Sequence, residues 1–275
     1  MRFLLSRRWV LFGLAVVVLA LGCFRLGEWQ FDRLHDREQR NAWTRANLAA
    51  DPVPVEDVLR LDKEVPADQE WRRIRASGQY DAAGTVVVRY QTRDGGSGVD
   101  LVTPLVTDSG TAVLVDRGWT ATGNTGALPT DLPAPPSGTV TVVGFVRADA
   151  TGRGIDVEDR STRAISSRTI GPELDYPVYA GFVDAETEDP APADDVVRAE
   201  VPDLGEGPHL FYGIQWWFFA ALAIFGFGYL AWDERRHGPR GARPSRRRPL
   251  PDEPDEPDDP PRDVPQDRPR EPVQR

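Results

Sequence analysis

Two long apolar runs bracket this chain and limit what the rest of it can become. Residues Trp9 to Phe24 are 16 consecutive apolar or small residues, and Leu210 to Trp232 form a second run of 23, interrupted chiefly by Gln215. The first run falls short of the roughly 20 residues of a usual span and exceeds the roughly 7–15 apolar residues of a signal peptide. Leu26 and Gly27 lengthen it, and Arg25 can carry its charge to the headgroups on an aliphatic stem. The second run is long enough to cross a bilayer with some tilt. Arg2, Arg7 and Arg8 precede the first run, and Arg235, Arg236, Arg240, Arg243 and Arg246 to Arg248 follow the second. Cationic flanks mark the cytoplasmic side. The expected topology is therefore a multi-pass plasma-membrane protein with both termini cytoplasmic and a large extracytoplasmic loop. Trp9 and Trp232 would lie at the inner interface, and Trp29, Trp216 and Trp217 at the outer one. The first run has two readings: a retained anchor, or a cleaved signal lipidated at Cys23, where Leu19-Ala20-Leu21-Gly22-Cys23 loosely resembles a lipoprotein site. The absence of an Ala-x-Ala cleavage site favours the anchor.

Charge follows the same division. Residues 34–209 hold 17 basic and 30 acidic groups, whereas residues 1–33 hold five Arg and two acids. An acidic middle argues against nucleic-acid binding, which needs clustered cations. Cys23 is the one cysteine, so no intramolecular disulfide and no Cys-rich metal site can form. The histidines are His35, His209 and His237. The topology separates them, which argues against a three-His zinc site and against a Ser-His-acid triad in the loop. Asp156, Glu158 and Asp159 read as a solvated acidic face. The 32 Arg to one Lys look like GC-rich coding bias.

The expected fold class is a membrane α+β protein, two transmembrane helices flanking an extracytoplasmic antiparallel β-sheet or small barrel. Its parts are a cytoplasmic N-terminus (1–8), a first span (9–27), a stalk helix without Gly or Pro (28–50), a β-rich domain (51–208), a second span (209–232) and a cytoplasmic tail (233–275). Asp51-Pro52-Val53-Pro54 stops the stalk. Strands are expected at 71–80, 85–90, 99–106, 112–119, 139–147 and 176–183, rich in Val, Thr, Tyr and Phe and separated by Gly-bearing turns. Residues 120–137 and 186–207 read as loops, the second an acidic linker into the last span. The tail is Arg-rich, then from Pro249 holds nine Pro and nine acids in 27 residues, a composition that cannot build a core.

Four segments carry candidate function. In Leu26-Gly27-Glu28-Trp29-Gln30-Phe31-Asp32-Arg33, the spacing places Trp29, Gln30 and Arg33 on one helical side, as a contact surface or an aromatic anchor with an interfacial Arg. Val102-Thr103-Pro104-Leu105 is the second. Val113 to Trp119 ends in Arg117-Gly118-Trp119, which reads as a docking edge or as a strand end with a packed Trp. In His209 to Trp217, His209, Tyr212 and Trp216 share a helix face with Gln215 beside them. A neutral imidazole there is a competent haem axial ligand, and equally an interfacial His beside an aromatic belt.

Taken in order along the chain, these motifs resemble the Surf1 (Shy1) family of cytochrome c oxidase assembly factors. The resemblance rests on Leu26-Gly27-x-Trp29-Gln30-x-x-Arg33, Pro52-Val53-Pro54, Gly78-x-Tyr80, Thr103-Pro104-Leu105, Leu114-Val115-x-Arg117-Gly118-Trp119 and His209-x-x-Tyr212-x-x-Gln215-Trp216. It covers about residues 24–120 and 207–232 and not 237–275. It implies assembly rather than catalysis: help in forming the haem a centre of subunit I of an aa3-type oxidase, with transient haem a binding. His209 would ligate the iron, with Tyr212, Gln215 and Trp216 beside the haem. Trp29, Gln30, Arg33, Arg117 and Trp119 would contact partners, namely subunit I and other assembly factors, with membrane lipid around the spans. The alternatives are a haem-independent structural partner of the oxidase and a membrane-anchored binding module unrelated to respiration. His35 as a second axial ligand is disfavoured, being about eight residues and roughly 12 Å beyond Gly27 on a continuous helix.

Overall fold

The first span and the stalk are one helix. In the computed structural model, which describes residues 2–123, 132–193, 196–205 and 207–238, α1 runs unbroken over Arg7–Ala49. It ends where Ala50 turns extended ahead of Asp51 and Pro52, a proline that disfavours helix in the residue before it. A second long helix closes the described chain, His209–His237. Both helices are long and apolar enough to cross a membrane. The final helix reaches past 232 into the segment expected to be a disordered tail; the tail from 239 on lies outside the described residues.

Between them the described residues form eight strands and two single-turn α-helices. The strands are β1 (Val53–Pro54), β2 (Arg73–Tyr80), β3 (Val86–Arg93), β4 (Gly96–Thr107), β5 (Ala112–Ala121), β6 (Thr139–Arg147), β7 (Ser161–Thr162) and β8 (Val178–Asp189). The short helices are α2 (Val55–Val58) and α3 (Ser167–Ile170), which makes His209–His237 α4. The sheet order is β1-β2-β6-β8-β5-β4-β3-β7, and β2 also pairs with β4. That extra pairing joins β2, β6, β8, β5 and β4 into a closed small barrel, which leaves those strands few free edges. The expectation of an antiparallel sheet needs correction to a mixed one. β5 and β8 run parallel, as do β1 with β2 and β3 with β7. A parallel pair needs a long crossover, and residues 122–177 supply it.

Alternation along the strands sorts side chains between two cores. Ile74, Ala76, Leu105, Val113, Val115, Val140, Val142, Val146 and Val183 fill the barrel, and Val55 and Leu59 from the α2 segment cap that core. Leu114 points the other way. With Val86, Val88, Val102 and Phe182 it packs under Ile165 and Ile170 from the crossover. β5 is therefore buried on both faces, although its sequence alternates like a strand with one wet face. The hairpin between β3 and β4 turns at Asp94 and Gly95, both at positive φ, the conformation that two-residue hairpin turns demand.

α1 and α4 pack along most of their shared length. Gly27 sits against the ring of Trp217, where a Cβ would fall 2.2 Å from Cδ1. Gly213 receives Phe31 in the same way, and Gly13 lies beside Phe227. Small residues allow this close approach, as is common between membrane helices. Cys23, the alternative lipidation site, is buried with Ala20 and Ala220. At the far end Trp9 Nε1 donates to Glu234 at 3.1 Å.

The barrel is tied to this pair at both ends of its chain. Asn47 near the end of α1 donates to the carbonyls of Asp68 and Glu70, at 2.7 and 2.9 Å. On the return, Arg93 donates to the carbonyls of Val197 and Arg198, and Trp119 bridges Val197 through backbone bonds. Further along, Arg45, Asn41 and Arg37, spaced four residues apart on α1, hold the carbonyls of Leu204 and Gly205 immediately before α4.

Candidate functional site

The barrel-proximal end of the helix pair gathers most of the residues singled out in the sequence. Gln30 lies one turn beyond Gly27, so the contact of Gly27 with Trp217 and that of Phe31 with Gly213 fix its height against α4. His209, the first residue of α4, meets it there: Nδ1 lies 2.9 Å from Gln30 Oε1. An amide oxygen only accepts, so this contact suits the Nδ1–H tautomer, the form whose lone pair is on Nε2. Among the described residues nothing else hydrogen-bonds the ring. Arg37 and the ring edge of His209 both border Gly207, which brings a cation into the same corner.

The remaining predicted residues divide. Trp216 turns inward against Ala20, Cys23 and Ala220. Tyr212 and Gln215 are exposed on α4. Trp29 is half exposed, and the Arg33 guanidinium lies 5.7 Å from its ring centre. His35 is exposed, about 140° around α1 from Gln30 and about 7.5 Å further along at the ideal helical twist and rise, so it does not join His209.

Arg117 and Trp119 are elsewhere and inside the domain, so the folded barrel does not present them as a contact surface. Arg117 is fully buried and donates to the carbonyls of Pro133 and Ala134 at 3.0 and 2.9 Å. Its Nε lies 3.5 Å from Glu188, and its guanidinium stands over Tyr80. Glu188 also accepts from Tyr80 Oη and from Arg198 Nη2, the latter at 2.8 Å. Burial, then the Glu188 charge, pushes the Tyr80 phenol above its ordinary range, and burial pulls Arg117 below its own. Trp119 packs over Gly96 and Gly98 and donates to the carbonyl of Gln91 at 3.3 Å.

A second polar row crosses the sheet, and sequence reasoning missed it. Asp100, Asp116 and Asp184 are buried on β4, β5 and β8, with Asp116 directly opposite Asp184. Arg93 serves Asp100 at 3.0 Å, and Arg147 serves Asp184 at 2.7 Å. Among the described residues Asp116 accepts only from the Gly118 N–H, at 2.9 Å. Burial lifts all three carboxyls above their usual range. Asp116 is raised well above it, by burial first and then by repulsion from Asp100 and Asp184. The only sign in the sequence was an acid in an otherwise apolar strand. Asp156, Glu158 and Asp159 remain exposed, as expected.

Comparison with known proteins settles the family. The SURF1 family model matches residues 17–221. The chain belongs to the SURF1 family. The match runs through 121–206, where no individual motif reaches. SURF1-like proteins of Mycobacterium bovis and Mycobacterium tuberculosis are each 30% identical over 240 residues, 85% of this chain and 87% of theirs. A yeast relative from Saccharomyces cerevisiae, the cytochrome oxidase assembly protein Shy1, is 29% identical over 120 residues, 42% of this chain and 30% of its own.

Proposed function

We propose that this SURF1-family chain is an assembly factor for an aa3-type cytochrome c oxidase. Its role is to assist formation of the haem a centre in subunit I, and it is not itself an enzyme. Membership of a family that includes a yeast protein named for cytochrome oxidase assembly carries the reading. The Arg flanks of both apolar helices support a plasma-membrane topology with the termini inside and the barrel outside. The barrel-proximal end of the helix pair is then the outer interface.

The residues at that end fit a haem. His209 is half-buried, with Nδ1 engaged by Gln30, and among the described residues nothing hydrogen-bonds Nε2, the atom through which it would ligate a haem. Tyr212 offers a polar group one turn on, with Gln215 a turn beyond it, and Trp216 turns inward from the same helix. Haem a, when held, supplies the porphyrin iron destined for the oxidase. The chain's own part is to hold it at the membrane surface and to dock. The exposed Trp29–Arg33 pair on the adjoining helix is the surface we assign to subunit I.

Two measurements test this. Reduced-minus-oxidised spectra of membranes from a strain lacking the protein should show a selective fall in the a-type haem signal, restored by the wild-type chain. An unchanged spectrum overturns the assembly role. Purified His209→Ala protein should lose its haem while His35→Ala keeps it. Full retention by His209→Ala ends the ligand assignment and favours the haem-independent partner.

A further inference from the structure

We infer that Gln30 is a positioning residue for His209: its amide oxygen holds the imidazole as the Nδ1–H tautomer and leaves Nε2 as the open lone pair. The inference deepens the haem reading. It rests on that reading for its consequence and not for the tautomer.

Gln30 belongs to the segment read from sequence as a contact surface, yet its side chain is half-buried and turned to α4. The two partners are 179 residues apart in the chain, and the bond spans the helix interface. The interface is firmly set at this height. A Cβ on Gly27 would lie 2.2 Å from Trp217, and one on Gly213 would lie 2.8 Å from Phe31, so neither helix has room to slide. Carbonyls of Leu204 and Gly205, pinned to α1 by Arg37, Asn41 and Arg45, fix the entry of the chain into His209.

The chemistry turns on which amide atom faces the ring. An oxygen facing Nδ1 demands the Nδ1–H form, and the lone pair falls to Nε2. An NH2 facing Nδ1 demands the opposite, with the proton on Nε2 and no lone pair to give. The second arrangement would close the ring to a metal at Nε2 without moving a single backbone atom. Ligating histidines commonly have their other nitrogen fixed by an acceptor in this way, and loss of that acceptor typically weakens metal binding about 10–100-fold.

The test uses the full chain in detergent micelles with 15N-labelled histidine. The His209 signal is assigned by its absence in His209→Ala, at a pH where the ring is neutral. Wild-type protein should show a protonated Nδ1 and an unprotonated Nε2. Gln30→Met, which keeps the side-chain length without an acceptor, should mix or reverse the two. Gln30→Glu, which keeps an acceptor, should preserve them. Titration with haem a, followed at the Soret band, should show about 10–100-fold weaker binding for Gln30→Met and no weakening for Gln30→Glu. A protonated Nε2 in the wild type overturns the inference, as does a Gln30→Met protein unchanged in both tautomer and affinity. If the wild type binds no haem a while its tautomer still depends on Gln30, the haem reading falls and the Gln30 assignment stands.

Discussion

Replacing Gly27 by Ala should loosen the helix pair, and Gly22→Ala on the same helix isolates why. At Gly22 an added Cβ meets nothing within 4 Å, while at Gly27 it would lie 2.2 Å from Trp217 Cδ1 and 2.3 Å from Nε1. Carbon atoms rest about 3.5–4.0 Å apart, so the ring or the helix must give by roughly 1.5 Å. Both substitutions gain the same helix propensity, up to about 1 kcal/mol for Ala over Gly. That gain cancels in the comparison. What remains is the overpacking cost, about 1–3 kcal/mol. The Phe31 and Phe24 rings, centred 4.8 and 5.9 Å from the Trp217 ring, limit its escape. Denaturant unfolding in a fixed detergent, with Trp emission as the probe, measures the difference. Gly27→Ala should be the less stable by about 1–3 kcal/mol, with a shift in emission that Gly22→Ala lacks. Agreement of the two variants within about 0.5 kcal/mol would refute the packing argument, since surface changes fall in that range.

Two further outcomes follow from the buried charges. Asp116→Asn keeps the acceptor for Gly118 and replaces a carboxyl that burial holds protonated well above its usual range. A raised carboxyl pKa means the folded barrel keeps a proton that the unfolded chain releases above about pH 4. Stability should therefore fall as pH rises from about 4 through the folded value, and Asp116→Asn should flatten that slope; urea titrations at two pH values check it. Glu188→Gln removes the anion shared by Arg117 and Arg198 and leaves a buried guanidinium without its counter-charge. The expected loss is about 3–5 kcal/mol by denaturant unfolding, with faster proteolysis at Arg198 as the linker comes off the barrel.

Much of the architecture was legible because it is written locally. Unbroken apolar runs and the Pro52 stop gave α1 and α4, and Val-rich segments between Gly turns placed the main strands within a few residues. What was not legible depends on pairing across long separations. β8 continues through Glu186 and Glu188 to Asp189, where the sequence reads as acidic linker. Those acids can lie in a strand because Arg73 meets Glu186 at 2.7 Å and Arg198 meets Glu188 at 2.8 Å. Arg117 looked outward because arginine usually does. Its burial needs two carbonyls and a carboxylate from two other segments, Pro133-Ala134 and β8. In the candidate site, His209 stood out by type and position. The bond from Gln30 did not, since no local pattern links a residue of the first helix to one 179 positions later.

The grip of α1 on the linker has a consequence of its own. Arg37, Asn41 and Arg45 take hold of main-chain carbonyls at Leu204 and Gly205, and Arg93 does the same at Val197 and Arg198. Every residue type offers a carbonyl, so these clamps are blind to the letters between and beneath them. They are sensitive to spacing instead. Residues 199–203 bridge two fixed points, one on the barrel and one on the stalk, and His209 hangs a set distance below the second. This stretch behaves as a ruler: its length, more than its composition, decides where along α1 the imidazole is held.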